Sequence, residues 1–431
     1  MSEWKDTEIG QIPLDWEIIK ASSYCVKVTD GTHDSPKQKE KGFPLVTSKH
    51  IKGESINFDD AYLISKEDYE KINQRSKVDQ WDVIISMIGE YCGFSYIEEN
   101  ETINYAIKNV GLFKPNDELD SKWLFYYLQG RNAKHYIGYS RTGTSQPYLT
   151  LGALRDFPII VPTEKKEKES IVKTLDALRY KITLLRQQNQ DLEELAQTLF
   201  KRWFVEFEFP NENGEPYKSS CSKMVESELG EIPEGWRVKT VKDFITKYNT
   251  GADAIQKAPM VDEDTGVRCI RIGDLSNSRD FNQWGFTKIT PENFKQFRLL
   301  KNDIIITRTS LLGLSYLIIE DLDAVFNNGS IRIRPKNGYA IYLYSYLRSQ
   351  DFNNHISKIT NETSTRPNMK MDYLLIYNVL DIPNEILEKY TGIAESLIFK
   401  QYENIKEIQT LTQLRNTLLP KLMSGELRVK M

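Results

Sequence analysis

Short apolar runs and long heptad runs alternate along this chain, and they do so twice. Val83-Ile84-Ile85 behind Asp82, and Ile304-Ile305-Ile306 behind Asp303, are unbroken apolar runs after polar turns, the pattern of buried strands. Beyond Pro162 the spacing changes. Ile171, Leu175, Leu178, Ile182, Leu185, Asn189, Leu192, Ala196 and Leu199 follow one another in alternating steps of four and three, which predicts a long helix with a coiled-coil seam. A second run, Ile393, Leu397, Tyr402, Ile405, Ile408, Leu411, Leu414 and Leu418, is less regular and predicts a second long helix that Pro420 and Gly425 end. Neither helix can bury its own seam, so the two are expected to pair, with an antiparallel coiled coil as the expected arrangement. Asn189 within the first seam would set helix register at a cost in stability, unless it faces solvent at a kink.

The repetition is one of whole domains. Glu8-Ile9-Gly10-Gln11-Ile12-Pro13 with Trp16 returns as Glu228-Leu229-Gly230-Glu231-Ile232-Pro233 with Trp236, a period of about 220 residues against the roughly 20 to 50 of solenoid units. Gly31 answers Gly251, each after polar turn residues. Gly93, Ser95 and Tyr96 answer Gly313, Ser315 and Tyr316; Phe113-Lys114-Pro115 answers Ile333-Arg334-Pro335. Thr144-Ser145-Gln146-Pro147 answers Ser364-Thr365-Arg366-Pro367, and each half then reaches a proline, Pro162 or Pro383, before its long helix. The breaker-rich stretch Pro210–Pro216 reads as a linker between the halves.

Composition narrows the function. Hydrophobic residues at 40% and charged residues at 27% suit a folded, soluble protein, and no apolar run approaches the roughly 18 residues of a membrane span. The beginning lacks the apolar core of a signal peptide, so a cytoplasmic location and no membrane partner are expected. The four cysteines are far apart, without zinc or disulfide spacing, and read as reduced structural thiols. A net charge of −4 does not by itself suggest nucleic acid. No two glycines are separated by one residue, no Gly-Lys-Ser/Thr loop occurs, and there is no Pro-Pro pair, so cofactor loops and the amino-methyltransferase tetrapeptide are missing. None of the four histidines forms a metal-binding pair at helical spacing.

The duplicated Gly-x-Ile-Pro-x-x-Trp at Gly10–Trp16 and Gly230–Trp236 resembles the specificity subunits of type I restriction-modification enzymes. So do two helix ends, Ala196 to Val205 and Leu414 to Val429. The resemblance covers nearly the whole chain. It implies an α+β protein of two repeated α/β target-recognition domains, each followed by a long helix. The expected boundaries are residues 1–163 for the first domain, 164–207 for the central helix, 208–226 for a linker, 227–383 for the second domain, 384–423 for the distal helix and 424–431 for a tail. It further implies a non-catalytic subunit in which each domain reads one half of a bipartite target in double-stranded DNA. The helices would set the gap and dock methyltransferase (modification) subunits, and restriction (nuclease-translocase) subunits would complete the complex. No cofactor is expected in this chain; S-adenosylmethionine would belong to the methyltransferase partner. A coiled-coil scaffold with two protein-binding domains and an enzyme with an unrecognised site are the competing readings.

Polar loops near glycines are the candidate DNA contacts: Lys49, His50, Arg141, Thr144, Ser145 and Gln146 in the first half, Arg271, Arg308, Thr309, Thr365 and Arg366 in the second. Arginine matches guanine and glutamine matches adenine bidentately in the major groove. For each, an ordinary surface charge or salt bridge is the competing reading. Trp16 and Trp236 beside their Ile-Pro turns are read as packing residues, with base stacking as the alternative. Lys201, Arg202, Trp203 and Phe204 are candidates for subunit docking, against a simple helix-end cluster.

Overall fold

The computed structural model describes residues 4–143, 147–277, 279–362 and 368–429. Contacts divide the chain into two compact units, residues 1–185 with 406–431, and residues 186–405. Each unit therefore holds one sequence repeat and a length of both long helices.

The first unit opens with the hairpin Trp4–Thr7 and Gly10–Pro13. Its main sheet is antiparallel, from β1 (Cys25–Asp30), β2 (Val83–Ser86), β3 (Ser95–Ile97) and β4 (Val110–Pro115), in the order β1-β4-β2-β3. All four residues of β2 are buried, as an unbroken apolar run predicts for a strand covered on both faces. A smaller sheet pairs Phe43–Val46 in parallel with Ala106–Ile107. The domain closes on itself where Trp16–Lys20 pairs with Pro158–Pro162. Trp16 and Trp123 meet edge to face with ring centroids 5.7 Å apart, and Trp123 donates its indole N–H to Ile160 O at 2.9 Å. The long helix α1 (Lys165–Phe204) follows.

The second unit repeats the opening hairpin, the main sheet and the closing pair, while its smaller sheet has four strands where the first has three. β5 (Ile245–Thr250), β6 (Ile304–Thr307), β7 (Ser315–Leu317) and β8 (Ser330–Pro335) are ordered β5-β8-β6-β7. Arg268–Ile270 pairs in parallel with Ala324–Phe326, and Arg237–Thr240 closes on Asn378–Asp381 before helix α2 (Asn384–Ser424). The duplication reaches buried charges: Lys114 bonds Asp82 at 2.5 Å, and Arg334 grips Asp303 with two bonds of 2.7 and 2.8 Å. Burial pushes the Asp82 carboxyl up to about 6. Matching glycines serve matching close approaches. A Cβ on Gly31 would lie 2.5 Å from Ile107 O, and one on Gly251 would lie 2.1 Å from Asn327 O.

The α1 seam lies where its spacing places it, with every member from Ile171 to Leu199 buried or half-buried. The two helices run antiparallel: Lys181 pairs with Glu407 at 3.4 Å in the first unit, and Gln401 donates to Asn189 O at 2.9 Å in the second. The expected α2 seam holds at Leu397, Ile408, Leu411 and Leu418 and is corrected elsewhere. Ile393, Ile405 and Leu414 are 40 to 45% exposed. The covered positions are Leu387, Tyr390, Ala394, Leu397, Gln401, Asn404, Ile408, Leu411, Arg415, Leu418 and Leu422, an unbroken alternation of three and four. Gln401, Asn404 and Arg415 are polar, so a search for apolar residues alone slips off the stripe. Asn404, fully buried, donates to Asn189 Oδ1 at 3.0 Å, so Asn189 belongs to a polar cluster inside the seam and not to a solvent-facing kink. From its seam position Arg415 meets Glu54 at 2.5 Å.

Pro420 does not end α2, which continues to Ser424. A proline costs a helix one N–H and crowds the preceding turn, but here the last turn is held from outside by Leu419, Leu422 and Met423, all buried in the first unit's core. Gly425 then caps it with φ +76°, its Cα so close to Pro13 that a Cβ would lie 2.3 Å from Cγ. In the second unit the end of α1 does the same with aromatic residues. Phe204 lies 4.7 Å from Tyr390 and 5.0 Å from Tyr342, ring to ring, and Trp203 lies 5.8 Å from Tyr390. Truncating one of these buried rings to alanine costs about 3 to 5 kcal/mol.

Candidate nucleic-acid interface

In each unit several loops gather at one end of the main sheet, where β1 and β2, or β5 and β6, finish. In the first, Gly31 donates its N–H to Val110 O at 2.9 Å, and Gly89 donates to Pro147 O at 3.1 Å. Leu149 donates to Met87 O at 2.8 Å, and Thr142 and Tyr148 exchange two backbone bonds of 2.9 Å. In the second, Gly251 donates to Ser330 O at 3.1 Å, and Met369 donates to Arg308 O at 2.8 Å. The backbone after β2 or β6 is thus tied to the feet of the loop that carries Thr144-Ser145-Gln146 or Thr365-Arg366. These five residues lie outside the described residues.

Gly93 and Gly313, at φ +97° and +82°, turn these loops against an isoleucine of the second helix downstream, Ile137 of Arg131–Ser140 or Ile356 of Gln350–Glu362; an added Cβ would lie 3.3 or 3.1 Å away. Arg141 extends the same support by donating to Cys92 O at 2.6 Å. Arg308 is half-buried and gives two N–H groups to Asn368 Oδ1 at 3.3 and 3.0 Å, beside Thr309, which bridges Asn368 through the backbone. Arg308, Thr309 and the foot of the Thr365-Arg366 loop therefore share one place, as do Arg141 and the foot of the Gln146 loop.

Other candidates are spent on the protein. His50 is 1% exposed, with Nδ1 accepting the Thr47 N–H at 2.8 Å, so it has no surface to offer a base. Burial, with Lys49 adjacent, pulls its pKa below the ordinary histidine value, and the imidazole stays neutral at pH 7. Lys49 is exposed and pairs with Asp60 at 3.4 Å, a contact that a phosphate displaces at little cost. Arg271 is half-buried and folds back onto Cys269 O at 3.0 Å, with Nη2 buried without a partner. Trp16 and Trp236 are buried, as packing residues should be.

Of the docking candidates, Trp203 and Phe204 are 5 and 4% exposed and pack into the core cluster at the helix end. Lys201, paired with Glu206 at 2.9 Å, and Arg202 remain exposed. Sequence reasoning missed Lys52, whose ammonium sits 4.1 Å above the ring of Tyr91 beside Gly89, and Asn368, the partner of Arg308. No local signal marks either; both matter only because the fold brings separate loops together.

All four cysteines are free, and Cys25, Cys92 and Cys269 are buried. Among the described residues no helix is long and apolar enough to cross a membrane, and no cluster of histidine, cysteine and carboxylate side chains is arranged to hold a metal.

Comparison with known proteins gives this duplicated architecture its relatives. Residues 13–194 and 233–411 each match the family described as type I restriction modification DNA specificity domain. The chain is 27% identical to the type I restriction enzyme MjaIX specificity subunit of Methanocaldococcus jannaschii, over 100% of this chain and 97% of that one. It is 22% identical to the HindI specificity subunit of Haemophilus influenzae, over 82% of this chain and 88% of the relative. The fold is similar to the crystal structure of the type I restriction-modification S subunit from M. genitalium, with TM-score 0.62, 15% identity and 96% of each chain covered. Two family domains, in the two repeats that carry the two loop clusters, identify the chain as a member of the type I restriction-modification specificity subunits.

Proposed function

We propose that each domain reads one half of a bipartite DNA target through its loop cluster. The first would use the loops at Arg141 and at the Gly89 and Pro147 contact, the second those at Arg308, Thr309 and Asn368. The paired helices would fix the gap between the half-sequences and dock methyltransferase subunits. The chain does no catalysis itself: S-adenosylmethionine belongs to the methyltransferase partner, and a restriction subunit completes the assembly in the cytoplasm. One observation carries the reading. The same scaffold is built twice, down to Gly31 and Gly251 and to Gly93 and Gly313, while the polar residues on its loops differ between copies. Constant framework with variable polar loops is what reading two different half-sequences requires.

The test is to map methylated bases in a host genome with the gene, without it, and with residues 21–160 replaced by those of a relative. Loss of one methylated motif on deletion, and a change in only one half of it on replacement, is the expected result. A change in both halves would end the modular reading. Methyl transfer by the purified chain with S-adenosylmethionine alone would end the non-catalytic one.

A further inference from the structure

We propose that a cleft on the second domain, between β5 and the helix Pro291–Phe297, is a phosphate-binding site. The cleft is about 360 Å³ and is lined by Lys247, Phe294, Lys295, Arg298, Leu300 and Arg334. Lys247 and Arg334 are Cα partners across β5 and β8, while Lys295 lies on the helix and Arg298 at its C-cap, so cations approach from opposite walls.

Their donors are only partly used. Arg334 gives Nε and Nη2 to Asp303, and Arg298 gives Nε to Leu322 O at 3.3 Å and Nη2 to Asp323 at 3.1 Å, which leaves one Nη1 on each. Lys247 and Lys295 make no ion pair or hydrogen bond among the described residues. Beneath them Arg332, 1% exposed, holds the carbonyls of Gln296 and Arg298 at 3.1 and 2.9 Å and so fixes the helix end. The carboxylates nearby are Asp303, buried and already gripped, Asp321, which accepts the Lys301 N–H at 2.8 Å, and Asp323 on Arg298. Burial together with Arg332 and Arg334 lowers the Lys247 pKa, and Asp303 offsets this only in part.

The first domain supplies the contrast. Lys27 and Lys114 hold the same register pair, but Lys114 is neutralised by Asp79 at 2.8 Å and Asp82 at 2.5 Å, and Lys27 donates to Arg75 O at 2.7 Å. In the second copy Arg334 is paired with Asp303 in the same way, and it is Lys247, the counterpart of Lys27, that is left without a bond among the described residues. A carboxylate offers two oxygens in one plane, which a single guanidinium serves; donors converging from two walls suit the tetrahedral oxygens of phosphate.

A backbone phosphate of DNA and a free phosphate share this chemistry. The first source rests on the function proposed above; the site itself does not. Both lysines are exposed, so the test compares the full-length chain with its Lys247→Gln/Lys295→Gln variant, and with Lys27→Gln as control. Inorganic phosphate, titrated at constant ionic strength, should raise the Tm of wild type and of the control, with an apparent Kd weakened about tenfold or more in the double variant. Equal responses in all three would overturn the site. In a second arm, binding to a DNA duplex is measured against salt. A slope of log K on log salt smaller by about 1 to 2 in the double variant identifies the source as DNA backbone. An unchanged slope with a lost phosphate response identifies a free anion. If no form of the chain binds DNA, the DNA reading fails and the phosphate arm still decides the site.

Discussion

Arg428 closes the first domain from the far end of the chain: it gives Nη1 and Nη2 to the two carboxylate oxygens of Asp15 at 3.1 and 2.7 Å. The same guanidinium bonds Glu167, 2.7 Å from Nη2, and lies 5.9 Å over the ring of Trp16, whose indole N–H also reaches Glu167 at 3.2 Å. Asp15 is held below the ordinary carboxylate range by this bond.

Arg428→Ala should therefore destabilise the first unit by about 2 to 4 kcal/mol, because it leaves the buried Glu167 with only an indole for company. Urea denaturation followed by tryptophan fluorescence measures it. A loss below about 0.5 kcal/mol, the size of an exposed pair, would show the contact to be ornamental.

Asn404→Ala should cost about 1 to 2 kcal/mol, since Asn189 Oδ1 and Gln188 Oε1 lose their buried donor. The double change Asn189→Leu with Asn404→Leu should raise Tm and loosen helix register instead. Cysteines placed at Lys181 and Glu407 report register by crosslinking. An undiminished crosslink in the leucine double variant would show that the polar cluster does not set it.

Stability should fall as pH drops from about 7 to about 5, in part through His50. Its pKa is lower folded than unfolded, so the unfolded chain binds the extra proton first and the contribution present at neutral pH disappears on acidification. Protonating Nδ1 also removes the acceptor of the Thr47 N–H. His50→Gln, which keeps an acceptor but cannot titrate, should show a shallower fall in the same range. Superimposable pH profiles would assign the titration elsewhere.

If the helices set the gap, duplicating Leu192–Thr198 in α1 together with Ala394–Lys400 in α2 adds one heptad to each seam and about 10 Å of rise, or about three base pairs. Methylome mapping should then find both half-sequences unchanged and the gap longer by that amount. Duplicating the α1 heptad alone should abolish modification, because Gln401 would no longer meet Asn189. Modification with an unaltered gap after the double insertion would refute the spacing role.

The sequence by itself determined the duplication, the buried strands Val83–Ser86 and Ile304–Thr307, the α1 seam and the family, because each is carried by local periodicity or by identical residues at identical spacing. Tertiary structure decided the rest. The α2 seam runs through Gln401, Asn404 and Arg415, whose burial depends on partners more than 200 residues away for the first two and more than 300 for the third. His50 and Phe204 look like surface chemistry in a polar stretch and at a helix end, yet both are buried, because burial is a property of what packs above a residue and not of its neighbours in the chain. The open cations of Lys247 and Lys295 were hidden for the same reason. A lysine is free or paired according to which carboxylate the fold carries to it, and among the described residues none pairs with Lys247 or Lys295, while Lys239 in the same domain meets Asp381.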